Sequence, residues 1–461
     1  MSTAFQPVPL PRALREITGH VTTRSDATYD AERRVYYGGI ETFPAAIIRP
    51  ANAADVQRIV ASARADNLEI AVRSGGHSLA GHSSTNGGVV IDLRSLAAID
   101  VDPSTQTLWA GAGAEAIAVT KAAEKHGLAI GFGDSGSVGV GGITLGGGVG
   151  YLTRKFGLTI DSLLSADVVT ADGRLLQVDS DHHPDLFWAI RGGGGNFGIV
   201  TRFKFQLHAL PQLTGGMLVL PATPDTIQGF TAASLAAPDE LSSIANIMPA
   251  PPMPFLPTEV HGRLVILGML AYAGSPEDAE LALAPFRRLA TPLADMVKPT
   301  AYSSMYPPED PNARPTAVAR SMYLDAIDPS RAATIHEYLT TSDAPVRVAQ
   351  IRVLGGAASR VGADATAYAH RSKAMIVNVA AFYNGDDDRA RRSAWVREFE
   401  AALRPDDGDV YVNFLGDEGP ERVRAAYGGA TWDRLRRIKA IYDPANVFHR
   451  NQNIPPAPPP R

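Results

Sequence analysis

Glycine is concentrated in one part of this 461-residue chain, between residues 75 and 198. Three of the runs are SGGHS (74–78), SGSVGVGG (135–142) and LGGGVG (145–150). Glycine lets backbone N–H groups approach a ligand closely, and successive amides in unusual conformations form an anion-binding nest. Three separated clusters are more than tight turns require. They predict a surface for one long, phosphate-bearing cofactor, whose identity the composition leaves open.

A fourth run, GGGNFG (193–198), matches the GxGxxG dinucleotide fingerprint. That fingerprint requires a helix directly after the glycines, because the helix N-terminus holds the pyrophosphate. Here IVTRFKFQL follows, and its alternation is typical of a strand. The sequence therefore argues against a Rossmann site.

Residues 1–210 predict a single α+β domain. FPAAIIRP (43–50), the helical spacing that follows it and IAVR (70–73) form a βαβ unit. The run VGVGGITLGGGVG (138–150) is predicted to be a turn-rich loop, and Asp172-Gly173 indicates a β-hairpin.

Residues 211–412 have a different character, with six strand-like runs and two helical stretches near 275–290 and 388–403. This pattern predicts an antiparallel sheet with helices on one face. The last fifty residues turn helical again, and Leu435, Ile438 and Ile441 are predicted to form the apolar face of that helix.

The composition excludes several classes of chemistry. The chain has no cysteine, so disulfides, thiolate nucleophiles, iron–sulfur clusters and zinc ribbons are ruled out. The pair His182-His183 has no third ligand at a defined offset, and no metal site is predicted.

The charge pattern points to small-molecule partners. A net charge of −5 without a basic block argues against nucleic acid. No window approaches 18 consecutive apolar residues, so we expect no membrane association. The first twenty residues lack the pattern of a secretory signal, and we therefore expect a cytoplasmic location. Oligomeric state is left undetermined.

Four ordered motifs resemble a known family. They are RSGGHSLAGHS, DSGSVGVGGITLGGGVGYLTRKFGL, DLFWAIRGGGGNFGIV, and YVNF followed by YDPANVFHRNQNIPP. Together they resemble the berberine-bridge-enzyme-like branch of FAD-linked oxidases in the vanillyl-alcohol-oxidase superfamily, including bacterial 6-hydroxy-D-nicotine oxidase-like and oligosaccharide oxidase-like members. The resemblance runs over nearly the whole chain.

The resemblance implies an α+β, two-domain PCMH-type FAD-binding fold with an inserted antiparallel-sheet substrate domain. The expected boundaries are 1–210 for the FAD-binding domain, 211–412 for the substrate-binding domain and 413–461 for a segment that returns to the FAD domain.

By the same resemblance, His77 in RSGGH forms a covalent bond to the C8 methyl of the FAD ring. Many relatives attach FAD a second time through a cysteine at the position of Ser135; serine cannot form that thioether, so a single attachment is expected. Val138 resembles the residue type that admits dioxygen to the flavin.

The resemblance implies cofactor contacts from all the glycine-rich motifs and from the C-terminal NQN. The expected cofactor-binding residues are Arg73, Ser74, Gly75, Gly76, His77, Ser78, Gly81, His82, Ser83, Ser135, Gly136, Ser137, Val138, Gly139, Gly141, Gly142, Gly146, Gly148, Gly198, Ile199, Val200, Asn451 and Asn453.

The catalytic base is left open. Several alcohol-oxidising relatives use a tyrosine at the position of Phe414, and phenylalanine cannot take a proton. Either Tyr411 substitutes, or another base comes from the middle domain, or the substrate needs none, as an amine would. Asn413 is a second candidate in the same element. The alternative for both residues is a purely structural role, in which they hold a loop.

On the strand VAQIRVLGG, Gln350 and Arg352 share one face because side chains alternate along a strand. The resemblance implies that this face borders the substrate cavity, where Arg352 would favour an anionic or hydroxyl-rich donor. Two roles are open for four tyrosines: stacking surfaces for a substrate ring in the cavity, or packing in the core, which is the more common role of aromatic residues in strands. They are Tyr302, Tyr306, Tyr323 and Tyr383.

Three functions follow from the resemblance. The first is an FAD-dependent oxidase that moves a hydride from an alcohol or sugar carbon to flavin N5, with dioxygen reduced to hydrogen peroxide. The second is an amine oxidase or an oxidative cyclase of aromatic secondary metabolites. The third is a flavin-loaded binding protein with little turnover.

Overall fold

The computed structural model describes Leu14 and residues 17–404 and 408–459. Most of the segment on which the expectation about a secretory signal rests lies outside these residues. Within them, no helix is long and apolar enough to cross a membrane.

Two sheets form the N-terminal half. The first is mostly parallel, in the order His20–Thr23, Ala46–Arg49, Val89–Asp92 and Ile70–Arg73. Its strand Val89–Asp92 is buried along its whole length, as expected for a parallel sheet covered on both faces. The second sheet is antiparallel, in the order Ile99–Asp102, Thr107–Gly111, Ile199–Gln206, Leu163–Val169 and Leu175–Asp179.

The glycines after residue 192 behave as the sequence predicts. They are followed by the strand Ile199–Gln206 and not by a helix. The hairpin at Asp172-Gly173 is also present, with Gly173 at φ 83°, a conformation that glycine adopts without steric cost.

An antiparallel sheet of eight strands dominates the middle of the chain. Its order is Ala294–Asp295, Thr214–Pro221, Leu264–Tyr272, Leu241–Pro249, Arg347–Val353, Met375–Phe382 and Ala317–Leu324, and Lys298–Pro299 also pairs with Thr214–Pro221. A short pair joins Leu128–Ala129 to His208–Ala209.

The two faces of this large sheet have different partners. On one face, Ala349, Ile351 and Val353 pack in a core with Phe230 and Phe399, which come from helices. Because side chains alternate, the residues between them point to the opposite face. That face borders the cavity described below.

Four longer helices cover the sheet: Pro224–Ala236, Pro276–Arg287, Pro329–Thr341 and Gly385–Leu403. The sequence predicted only the second and fourth. The other two begin at a proline after the caps Thr223 and Asp328, and Pro-containing segments of this kind also occur in turns.

The remaining α-helices are Tyr29–Glu32, Ala53–Ala65, Ala116–Glu124, Val140–Gly146, Thr153–Phe156, Pro184–Ala189, Ala357–Arg360, Pro420–Ala425 and Gly429–Tyr442. The short 3₁₀ turns include Gly194–Asn196, Tyr302–Met305 and Val412–Phe414.

Two predictions about helices are wrong. The glycine run predicted as a loop contains the helix Val140–Gly146, in which Val140 and Thr144 are fully buried; packing outweighs the low helix propensity of glycine. In the last helix Ile441 is 64% exposed. Trp432 and Tyr442 complete the buried face there beside Leu435 and Ile438.

Candidate active site

A cavity of about 520 Å³ lies between the glycine-rich loops and the large sheet. Ligand pockets commonly measure about 300–1,000 Å³. The loop Gly75–Ser78 borders it on one side, and Gln350 and Arg352 border it on the other. The same cavity therefore contacts both regions in which the sequence predicted functional residues.

His77 is held from two directions at the cavity wall. Its ring stacks on Tyr36 with the centroids 3.9 Å apart and the planes at 20°, and its Nε2 lies 2.9 Å from Ser137 Oγ. Burial lowers the pKa of His77 to about 4, against the opposing field of Glu309. The imidazole is therefore neutral near pH 7.

Glycine is favoured at different positions of the two loops for different structural reasons. A Cβ on Gly75 would lie 2.3 Å from the Gly139 nitrogen, so this glycine is required by the contact between the loops. A Cβ on Gly142 would meet nothing within 4 Å, although Gly142 lines the cavity. Its open side leaves room for a ligand to lie against the backbone.

Several cavity-lining polar atoms have no partner in the described part of the chain. They include both ring nitrogens of His82, Ser83 Oγ and Tyr427 Oη. Buried polar atoms without partners are costly. A bound group rich in hydroxyl, carbonyl and phosphate oxygens would satisfy them, and FAD has this chemistry. The residues present therefore fit FAD.

At the far side of the cavity, Arg352 is enclosed by hydrogen bonds. Its Nη2 lies 2.6 Å from Asp134 Oδ2 and 2.8 Å from Gln350 Oε1, and its guanidinium lies 4.9 Å from the Phe414 ring centroid. The carboxylate neutralises the cation in place. Because its charge is already paired, Arg352 gives little reason to expect an anionic donor. The prediction of a hydroxyl-rich donor is unaffected.

Tyr411 contacts the segment that directly follows the helix Val140–Gly146. Its hydroxyl accepts hydrogen bonds from the Gly148 N–H at 2.9 Å and from Asn413 Nδ2 at 3.0 Å. Burial raises the pKa of Tyr411, although these donors oppose the shift. A phenol with a raised pKa stays protonated, which disfavours Tyr411 as the base.

The cavity collects most of the predicted site residues. All four catalytic candidates (Tyr411, Asn413, Gln350 and Arg352) line it. So do Ser74, Gly75, Gly76, His77, Ser78, His82, Ser83, Ser135, Val138, Gly139, Gly141, Gly142, Gly198, Ile199, Val200 and Asn451. The lining does not include Arg73, Gly81, Gly136, Ser137, Gly146, Gly148 or Asn453.

Two of the residues outside the lining make internal contacts that explain their place. The buried Arg73 guanidinium donates to the backbone carbonyls of Glu32, Arg33 and Ser83, and it therefore holds the loop. Gly146 allows a close approach of Asn413, whose Oδ1 would lie 2.0 Å from an added Cβ.

Tyr302, Tyr306, Tyr323 and Tyr383 are buried and absent from the cavity lining, which agrees with a role in the core and not with stacking on a substrate. Tyr302 and Tyr306 pack in a separate apolar cluster with Tyr151, and the Tyr323 hydroxyl pairs with that of Tyr368 at 2.7 Å. Tyr383 is likewise absent from the lining. The tyrosines that do line the cavity are Tyr37, Tyr411 and Tyr427.

Sequence reasoning missed Asp134, Asn378 and Glu309. Asn378 pairs with Gln350 across neighbouring strands, and its Oδ1 is buried without a partner in the described residues. Strand alternation in MIVNVAAFY could have indicated Asn378. Asp134 is the first residue of the motif DSGSVGVGG, but that motif does not indicate its contact with a distant strand, and Glu309 lies in none of the four motifs. Within the described residues, no group of three or more His, Asp or Glu could hold a metal ion.

Comparison with known proteins agrees with this fold. Residues 44–179 match the family described as FAD binding domain, and residues 410–455 match berberine and berberine like. The uncharacterized FAD-linked oxidoreductase YgaK of Bacillus subtilis is 32% identical over 96% of this chain and 98% of its own. Xylooligosaccharide oxidase of Thermothelomyces thermophilus is 30% identical over 95% and 92%.

A solved structure of 6-hydroxy-D-nicotine oxidase from Arthrobacter nicotinovorans superposes with a TM-score of 0.87 at 27% identity, over 98% of this chain and all of that one. The two-domain PCMH-type α+β fold is thereby confirmed. Fold and cavity define an FAD-linked oxidoreductase. The chain belongs to the berberine-bridge-enzyme-like family of these flavoproteins.

Proposed function

We propose that this protein is an FAD-dependent oxidase of neutral, hydroxyl-bearing donors, with FAD attached once, through His77. The observation that carries the proposal is one continuous cavity bordered by His77 at one side and by Gln350, Arg352 and Asn378 at the other. FAD bound there would accept a hydride from the donor carbon and pass the electrons to dioxygen, giving hydrogen peroxide.

The chain's own residues would hold the donor. Asn378 Oδ1 is a buried acceptor without a partner in the described residues, so it favours a ligand that brings a hydrogen-bond donor. Alanines at positions 317, 319 and 380 line the same region and leave space above the sheet. A hydroxyl-bearing ring fits this combination of one polar contact and small apolar walls.

Asp134 is the proposed base. It lines the cavity, and Arg352 keeps it close to Phe414, where several relatives have a tyrosine. Its hydrogen bonds to Arg352 and Gln350 use Oδ2, so Oδ1 accepts none from the described part of the chain. Oδ1 can take the hydroxyl proton of an alcohol while the donor carbon gives up its hydride.

The arrangement favours alcohols over amines as donors. An amine loses its hydride with the help of the nitrogen lone pair and needs no base, so the Asp134 carboxylate would serve no purpose with an amine donor. An alcohol requires proton removal to donate a hydride, which Asp134 provides. Val138 lines the cavity at the position expected to admit dioxygen.

The donor class can be tested directly with the purified yellow protein. We expect peroxide release with some members of a panel of sugars and alcohols, together with anaerobic bleaching of the flavin by the same compounds. Amines of matched size serve as the control. Bleaching by amines alone would contradict the proposal, and bleaching by no donor would favour a binding protein.

The attachment has its own test. We expect colour to remain in the polypeptide after acid precipitation of the wild type, and to be released to the supernatant from His77→Ala, because alanine has no nitrogen to bond the ring. His126→Ala, at an exposed position outside the cavity lining, is the matched control and should keep its colour. Release of all flavin from the wild type would show that no bond is present.

A further inference from the structure

Glu309 reaches the loop beside His77 from a distant part of the chain. It follows the turn Tyr302–Met305 and accepts hydrogen bonds from Ser135 Oγ at 2.7 Å and from the Gly136 N–H at 3.1 Å. Its second carboxylate oxygen accepts a short hydrogen bond from Ser137 Oγ. This carboxylate takes no part in the proposed oxidation of the donor.

These contacts determine which group donates in each hydrogen bond of the chain from His77 through Ser137 to Glu309. Burial opposes ionisation of Glu309, but hydrogen bonds from Ser137 and Ser135 outweigh it and hold its pKa below the usual value. An ionised carboxylate only accepts hydrogen bonds. Ser137 therefore donates its single proton to Glu309, and its oxygen must accept from His77 Nε2, which lies 2.9 Å away.

The consequence for His77 is one defined tautomer. The imidazole is neutral, because burial lowers its pKa to about 4. If Nε2 carries the hydrogen, Nδ1 carries the lone pair. The stacking of Tyr36 on the ring fixes its plane. The nucleophilic nitrogen is thus selected by Ser137 and Glu309 together.

We propose that Ser137 and Glu309 are positioning residues for the covalent attachment of FAD to His77, an inference that rests on the proposed function. A bond forms between Nδ1 and the methyl carbon at C8 of the ring, and one C–H bond of that methyl breaks. The reaction releases two protons, one from the methyl group and one that leaves Nε2 through Ser137 toward Glu309, together with two electrons. Dioxygen takes up both protons and both electrons and becomes hydrogen peroxide.

The structure assigns a specific task to the carboxylate. As Nδ1 bonds to carbon, positive charge develops on the imidazole, and Nε2 must lose its proton. A carboxylate one hydroxyl away stabilises that charge and receives the proton. With a neutral amide at position 309, Ser137 can instead donate to Nε2, and the lone pair is then on the wrong nitrogen.

The experiment compares Glu309→Gln and Ser137→Ala with Ser162→Ala. Ser162 lies outside the cavity lining, and its Oγ contacts His208 Nε2 at 2.9 Å as that of Ser137 contacts His77 Nε2, so it is the matched control. The full-length proteins are purified and incubated with FAD, and the covalent fraction is followed over time by fluorescence of the denatured polypeptide. We expect attachment at least about tenfold slower in the first two variants and unchanged in the control.

Three further measurements distinguish a positioning role from a loss of structure. Reversibly bound FAD, measured before denaturation, should stay near the wild-type level in all three variants, and Glu309→Asp should restore part of the rate. Nuclear magnetic resonance of the isolated flavin peptide should identify Nδ1 as the bonded atom. Attachment through Nε2 would overturn the inference, because Nε2 could then no longer donate to Ser137.

The outcomes distinguish this inference from the function on which it rests. Wild-type rates in both Glu309→Gln and Ser137→Ala, with the wild type itself covalently labelled, would overturn the positioning role alone. A wild type that releases all of its flavin on denaturation would overturn the attachment, and with it this inference, while oxidation of a donor would still be open to measurement.

Discussion

Asp134→Asn is expected to lower kcat with an alcohol donor by about 10²- to 10⁴-fold, the usual contribution of a positioned general base. The substitution keeps the size of the side chain and its hydrogen bond to Arg352 through the amide oxygen. It removes the group that can take the donor's hydroxyl proton. Stopped-flow measurement of anaerobic flavin reduction reports this step without interference from reoxidation.

The same variant separates chemistry from binding. KM should change much less than kcat, because Asn378, Gln350 and the apolar walls still contact the donor. Its melting temperature must be recorded too, since Arg352 has only 6% of its side chain exposed and loses its counter-charge. Reduction within about threefold of the wild-type rate, in a folded variant, would exclude Asp134 as the base.

A substitution at Phe414 can restore the activity lost in Asp134→Asn if Asp134 is the base. It would not do so if Asp134 had only a structural role. The guanidinium of Arg352 lies over its ring, so a hydroxyl added there enters the neighbourhood of Asp134. Phe414→Tyr in the Asp134→Asn background is expected to restore part of the alcohol-reduction rate. Phe414→Leu in that background is the control, and restoration by leucine would attribute the gain to packing.

The sequence predicts the parts of the site that have local patterns. His77 is found from its motif, and Gln350 and Arg352 from alternation along one strand, and all three line the cavity. Alternation also predicts which face of the large sheet is buried, because the period of two is a property of the strand itself. The glycine run at 74–78 lies in a loop as predicted, whereas the run at 138–150 contains a helix.

What the sequence does not predict depends on contacts between distant segments. Asp134 becomes a candidate base only when it meets Arg352, 218 residues away along the chain. Glu309 meets Ser137 across 172 residues. Asp134 opens the motif DSGSVGVGG, which does not indicate a base, and Glu309 lies outside the four motifs. The helix Val140–Gly146 was missed for a related reason, because burial of Val140 and Thr144 overrides the local preference of a glycine-rich run.

The second large effect concerns a buried ion pair in the last helix. Lys439 and Asp443 both have fully buried side chains, with Nζ and Oδ2 2.6 Å apart. Lys439 Nζ also donates to the backbone carbonyls of Asn196 and Phe448, at 2.7 and 3.2 Å. This one ammonium group therefore ties the C-terminal segment to the loop Gly194–Asn196 at the cavity wall.

Lys439→Met is expected to lower the free energy of unfolding by about 3–5 kcal/mol, because it leaves the Asp443 carboxylate buried without its counter-charge. Burial lowers the pKa of Lys439 while Asp443 opposes the shift, which reflects the same balance of desolvation and attraction. Denaturant unfolding followed by flavin fluorescence measures the loss where it should occur first, at the wall of the FAD cavity.

Two variants make the comparison specific to the pair. Lys121→Met, at an exposed helix position, should change the unfolding free energy by no more than about 0.5 kcal/mol. The double variant Lys439→Met with Asp443→Asn should recover part of the loss, since the unpaired charge is then gone. Equal losses in the single and double variants would mean that the lysine acts through its bonds to the Asn196 and Phe448 carbonyls, and not through the carboxylate.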